Sequence, residues 1–183
     1  MKRSLARFVI PSYCFLFFSL ILLAEIKAQK KASESNNWPE WRGIHNTGAV
    51  AGGNTPVEFN ETKNLKWKVE IPGKGHATPI VWGNQVIIQT AVATDKKPEK
   101  ITESAASPMA ASSTEYIHQF MVISVDKNSG KINWQTVVKE ELPAERTHDL
   151  GSWASNSPVT DGEYIYACFG SRGFVLSRYE RKY

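Results

Sequence analysis

The chain has 183 residues, with 22 Lys and Arg against 18 Asp and Glu, for a net charge of +4. Most of that excess lies in the first 28 residues, where Lys2, Arg3, Arg7 and Lys27 outweigh Glu25 by +3, leaving about +1 for the rest. So small a remainder gives no basis for nucleic-acid binding, which needs a concentrated basic surface.

In chain order, residues 1–28 read as a secretory signal peptide. A basic start is followed by an apolar run from Phe8 to Ala24, and Ala28 precedes a plausible cleavage point. The alternative is an uncleaved anchor, although the run falls short of the roughly 20 residues a membrane span needs. Cys14 lies inside the apolar run rather than after it, so a lipid-attachment site is not expected. Cleavage would leave Cys168 as the sole cysteine, excluding an intrachain disulfide and any Cys/His metal spacing. Export without a usable disulfide suits a bacterial periplasm or cell exterior, with membrane contact only through the signal segment.

Residues 29–64 form a polar lead-in that carries Trp38-Pro39-Glu40-Trp41-Arg42-Gly43. Leu65–Glu70 alternates apolar and charged side chains, the pattern of a half-exposed strand. Strands are predicted at 78–82, 85–91, 117–125 and 132–138. The Lys-, Ser- and Ala-rich stretch 92–115 has little to bury and reads as a surface insertion.

The strongest internal signal is self-similarity. Thr78-Pro79-Ile80-Val81-Trp82-Gly83-Asn84-Gln85-Val86-Ile87-Ile88 aligns without a gap on Ser157-Pro158-Val159-Thr160-Asp161-Gly162-Glu163-Tyr164-Ile165-Tyr166-Ala167. Trp67 and Trp134 are 67 positions apart, or 43 once the 24-residue insertion is set aside. That spacing fits the roughly 40–50 residues of a four-stranded propeller blade. The expected fold is therefore all-β, a β-propeller of antiparallel four-stranded blades, over residues 65–183. This chain would hold about one and a half blades, with Leu65–Glu70 as the outer strand of the preceding one.

The blade residues Asp126, Ser129, Gly130 and Trp134 resemble those of the PQQ-like β-propeller repeat proteins, the quinoprotein-dehydrogenase-like propellers, of secreted bacterial type. The Trp38–Gly43 motif, Gly73–Val81, Ala154–Gly162 and Gly170-Ser171-Arg172-Gly173 continue the likeness in order. The resemblance implies that Trp67 and Trp134 dock between neighbouring blades, with Asp126, Gly130, Pro79 and Pro158 shaping turns and strand entries. Where such propellers continue with another strand, Asp turn and Trp, this chain has the atypical tail 175–183. It reads as a truncated or frameshifted propeller; the alternative is a short protein that completes its sheet by association.

Candidate contact residues are Trp41, Arg42, His76, His148 and Arg172, the two histidines preceding successive copies of the repeat. His148, Asp149 and Ser152 or Ser155 invite comparison with a catalytic triad. Neighbours on one loop are poor evidence for residues that must be assembled in space, so a turn is the expected role. The resemblance also implies a cofactor test. PQQ enzymes use a Trp floor, vicinal cysteines and a Ca²⁺ site of Glu, Asn and Asp, and this chain offers no such cysteine pair. No catalytic, cofactor or metal residue is expected, PQQ belonging only to a full-length relative. The sequence thus points to a non-catalytic, exported binding or scaffold module, or a piece of one, that engages a protein or polymer through its loops and is prone to self-association. A quinoprotein oxidoreductase whose cofactor residues lie elsewhere is the alternative.

Overall fold

β-Branched runs separated by glycine turns have one economical outcome, antiparallel hairpins that bury one face. The computed structural model describes residues 37–50, 52–98, 115–145, 147–170 and 173–178, the last strand by its backbone. The expected signal peptide, most of the 92–115 stretch and Arg172 lie outside the described residues.

The described chain is all-β, without an α-helix, and its strands pair antiparallel in two sheets. The first sheet is a meander of β1 (Ile80–Trp82), β2 (Gln85–Ala93), β3 (His118–Asp126) and β4 (Ile132–Glu141). The second holds β5 (Val159–Thr160), β6 (Tyr164–Cys168) and β7 (Phe174–Arg178) in that order.

The sequence repeat is also a repeat of register. Ile80 pairs with Ile87 and Val81 with Val86; the aligned residues Val159 with Tyr166 and Thr160 with Ile165 pair in the same way. What differs is which face is covered. Ile80 and Ile87 are fully buried, whereas their counterparts Val159 and Tyr166 are 40% and 39% exposed. Conversely, Ile165 and Ala167 are buried where their counterparts Val86 and Ile88 are half-buried. The two sheets therefore stack unlike faces: Ile80, Ile87, Ala91, Phe120 and Val122 meet Ile165, Ala167 and Phe169 in one core. Phe120 and Phe169 meet edge to face, with centroids 5.3 Å apart, a geometry worth about 0.5–1.5 kcal/mol beyond burial. Gln89, fully buried, donates its amide to the Cys168 carbonyl at 2.8 Å and ties the sheets together.

Trp38 and Pro39 bridge the first strands of the two sheets, β1 and β5. Trp38 exchanges backbone hydrogen bonds with Val81, and Thr160 N–H donates to the Pro39 carbonyl at 2.9 Å. Trp82 packs its ring on Gly162 of the β5–β6 turn, and Trp67 packs on Gly130 of the β3–β4 turn. The Trp67 indole N–H also donates to the Lys127 carbonyl at 2.9 Å. Trp134 packs against the core, but its indole N–H is buried without a hydrogen-bond partner among the described residues. Pro158 is fully buried, whereas Pro79 is exposed.

Two expectations are corrected. Leu65–Glu70 is not a paired strand: among the described residues it makes no backbone–backbone hydrogen bond and belongs to neither sheet. It keeps the strand pattern nonetheless, with Trp67 and Val69 half-buried and Lys66, Lys68 and Glu70 exposed. The insertion begins later than residue 92, since β2 runs to Ala93 and Thr94 closes the pair through its N–H and hydroxyl to the Ile117 carbonyl. The start of the 175–183 tail, as far as Arg178, lies in β7 and pairs with β6.

Candidate functional site

One end of the first sheet meets the loop that leads into the second. Lys74 is held there by a two-way backbone bridge to Ala91, N···O 2.9 and 3.0 Å. The preceding Gly73 is required by close approach: a Cβ there would lie 2.4 Å from the Ala91 carbonyl oxygen. Opposite, Trp153 is fixed by its indole N–H, which donates to the Glu145 carbonyl at 2.7 Å. Between them lies a cleft of about 540 Å³, lined by Lys74, Ala91 to Ala93, Tyr116, His118 and the 147–153 loop.

His118 is a buried polar group of the cleft. It opens β3, is 6% exposed, and meets Trp153 edge-on at 4.5 Å between centroids. Its Nδ1 lies 2.8 Å from the Tyr116 carbonyl, so in the neutral ring that nitrogen carries the proton. Desolvation lowers its pKa below the ordinary imidazole value, against the opposing pull of that carbonyl. A neutral imidazole beside an indole, with an ammonium and a carboxylate at the rim, can hold an apolar or aromatic group and hydrogen-bond its polar end.

The sequence candidates fall in different places. His148 lines the cleft, and its Nδ1 accepts from Leu150 N–H at 3.1 Å. His76 is not among the lining residues. Its backbone N–H is shared between the Ala154 carbonyl and the Ser152 hydroxyl, at 3.1 and 3.2 Å, and so braces the loop from behind. The triad-like set is not assembled: Ser152 Oγ faces Ser155 Oγ at 3.2 Å, Ser155 donates to the Ser152 carbonyl, and His148 is engaged with Leu150. Trp41 is 60% exposed, with the Arg42 guanidinium 5.5 Å from its ring, in a turn apart from the cleft. Among the described residues no group of three or more His, Cys, Asp or Glu is placed to hold a metal ion.

Sequence reasoning missed His118, Trp153, Tyr116 and Lys74. The bracketing glycines around Lys74 were a usable signal, since paired glycines mark close backbone approach. Nothing in the sequence joined His118 to Trp153, 35 positions away. No protein-family model, curated protein or solved structure matches the chain.

Proposed function

We propose that the chain is an exported, non-catalytic binding or scaffold module of the β-propeller type, which takes a protein or polymer partner at the cleft beside Trp153. The observation that carries this reading is the cleft itself: an aromatic wall, a buried neutral imidazole and exposed Lys74, His148 and Asp149 converge on one volume. The blade assignment draws support from the repeated register and from the stacking of unlike sheet faces, the arrangement that successive blades require. Export draws support from the character of residues 1–28.

The test is a binding comparison. The immobilised chain is exposed to an exported-protein fraction and to soluble cell-surface polysaccharide, and any retained species is identified, purified and titrated. His148→Ala and Lys74→Ala change exposed side chains and leave the core intact. At least about tenfold weaker binding by both, or about 1.4 kcal/mol each, supports the reading. A partner indifferent to both substitutions sinks it, as does dye reduction by the chain supplied with PQQ and Ca²⁺, which would favour an oxidoreductase.

A further inference from the structure

Among the buried side chains that line the cleft, one polar atom lacks a partner. The Trp153 indole N–H is taken by the Glu145 carbonyl, and the Ser152 hydroxyl by Ser155 Oγ and the His76 N–H. His118, 6% exposed, donates from Nδ1 to the Tyr116 carbonyl. In the neutral ring Nε2 is then a lone-pair acceptor, and it has no hydrogen-bond partner among the described residues. A buried acceptor of this kind is costly to leave unpaired. Around it lie Ala91 and the half-buried Val92, Gly151 and Trp153, an apolar setting for a single polar contact.

The rim is different in kind. Lys74, His148 and Asp149 are all exposed there. His148 Nδ1 accepts from Leu150 N–H, so its neutral ring carries the proton on Nε2 and offers a donor. Donors and an acceptor stand side by side, which complements a peptide main chain, with one carbonyl and one N–H per residue. A sugar ring presents several hydroxyls, and the buried part of the cleft answers only one of them.

We infer that the group taken into the cleft is a tyrosine side chain of a partner protein, its phenol O–H donating to His118 Nε2. The inference rests on the reading of the cleft as a binding site and names what fills it. The ring lies against Val92 and Trp153, and the main chain on either side of it meets Lys74, His148 and Asp149. Tyrosine suits the arrangement because its donor sits at the tip of an apolar ring and reaches the buried acceptor first. An indole N–H sits on the flank of its ring, and phenylalanine fills the same space but leaves Nε2 unpaired. Burial favours the neutral imidazole that this contact needs. Protonation turns Nε2 into a donor and removes the match. The groups that face His118 are Lys74, Tyr116, His148 and Asp149 in the cleft, with Glu141 opposite it on β4 and ion-paired to Lys139. His148 is the second imidazole among them.

The experiment is an equilibrium titration of the immobilised 183-residue chain with two blocked pentapeptides, one with tyrosine between alanines and one with phenylalanine in its place. At pH 8 the tyrosine peptide is expected to bind at least about fivefold more tightly. By pH 5 the ratio should fall toward one, as Nε2 takes up a proton. His148→Ala should weaken both peptides alike and leave that change in ratio intact. His118→Leu should abolish the preference, and the pH series on the unaltered chain decides the matter if that variant folds poorly. Equal affinities at pH 8 overturn the inference, as does a preference that persists to pH 5 or vanishes in His148→Ala. Equal affinities that Lys74→Ala weakens would remove the tyrosine and leave the cleft reading standing. So would a polysaccharide retained at the cleft by a chain that binds neither peptide. Peptide binding that ignores both Lys74→Ala and His148→Ala lies outside the cleft and sinks the two readings together.

Discussion

Two titratable side chains show how local geometry sets charge. Asp126 accepts from the Ser129 hydroxyl, the Ser129 N–H and the Asn128 N–H at 2.8, 2.7 and 3.0 Å. The Ser129 bonds come first in holding its pKa below the ordinary carboxylate range. A depressed folded pKa contributes stability that is present above the unfolded value of about 3.9 and lost as pH falls through the folded one. Asp126→Ala should therefore lower the urea midpoint at neutral pH and flatten the acid limb of a midpoint-against-pH curve. His118 titrates in a higher window. Burial depresses its folded pKa, so the folded state binds the proton less well than the unfolded chain. Stability is full above the unfolded value of about 6.5 and declines as pH drops below it. Tyr116, Lys74, His148 and Asp149 surround the ring in the cleft. In thermal scans from about pH 8 to 5, the range in which an imidazole titrates, His118→Gln should remove part of the decline; an unchanged slope would place the cost elsewhere.

At the scale of elements, the turns decide the register. Gly130 adopts φ 73°, and a Cβ there would lie 2.7 Å from the Trp67 ring. Gly130→Ala should cost more than about 1–2 kcal/mol, the left-handed backbone penalty alone, because the indole must also move. Chemical denaturation followed by tryptophan fluorescence would check this. A loss below about 0.5 kcal/mol, no more than an ordinary surface substitution costs, would mean that Trp67 is not held there. The hairpins were legible because period-two apolar runs and turn glycines encode them locally. The register of the second hairpin followed from its alignment on the first. Leu65–Glu70 shows the limit of such reading. Its alternation is that of a strand, but a strand exists only when a neighbour supplies the ladder, and a neighbour is not a local property. The cleft was illegible for a related reason: His118, Trp153 and Lys74 converge only after β2 and β3 pair and the 147–153 loop folds back. His148 was found by its position ahead of the repeat, without any sign of the wall that faces it.

Across the whole molecule, the question is whether two sheets joined by one core behave as one unit. The core is shared rather than duplicated, with Phe120 and Val122 from the first sheet against Ile165, Ala167 and Phe169 from the second. A three-stranded sheet with two-residue β5 has little means of standing alone. Phe169 is 3% exposed, and truncating such a side chain costs about 3–5 kcal/mol through lost burial and the cavity left behind. That is a large share of the roughly 5–15 kcal/mol that holds a domain together. Trp67 offers a readout of the first sheet, because its ring packs on Gly130 of the β3–β4 turn and it lies outside β5, β6 and β7. If the stacked sheets are one cooperative unit, Phe169→Ala, made beside β6, must shift the fluorescence transition of the first sheet and the far-UV transition by the same amount. If the far-UV signal moves while the fluorescence midpoint stays, the sheets unfold separately and the shared core is not what couples them.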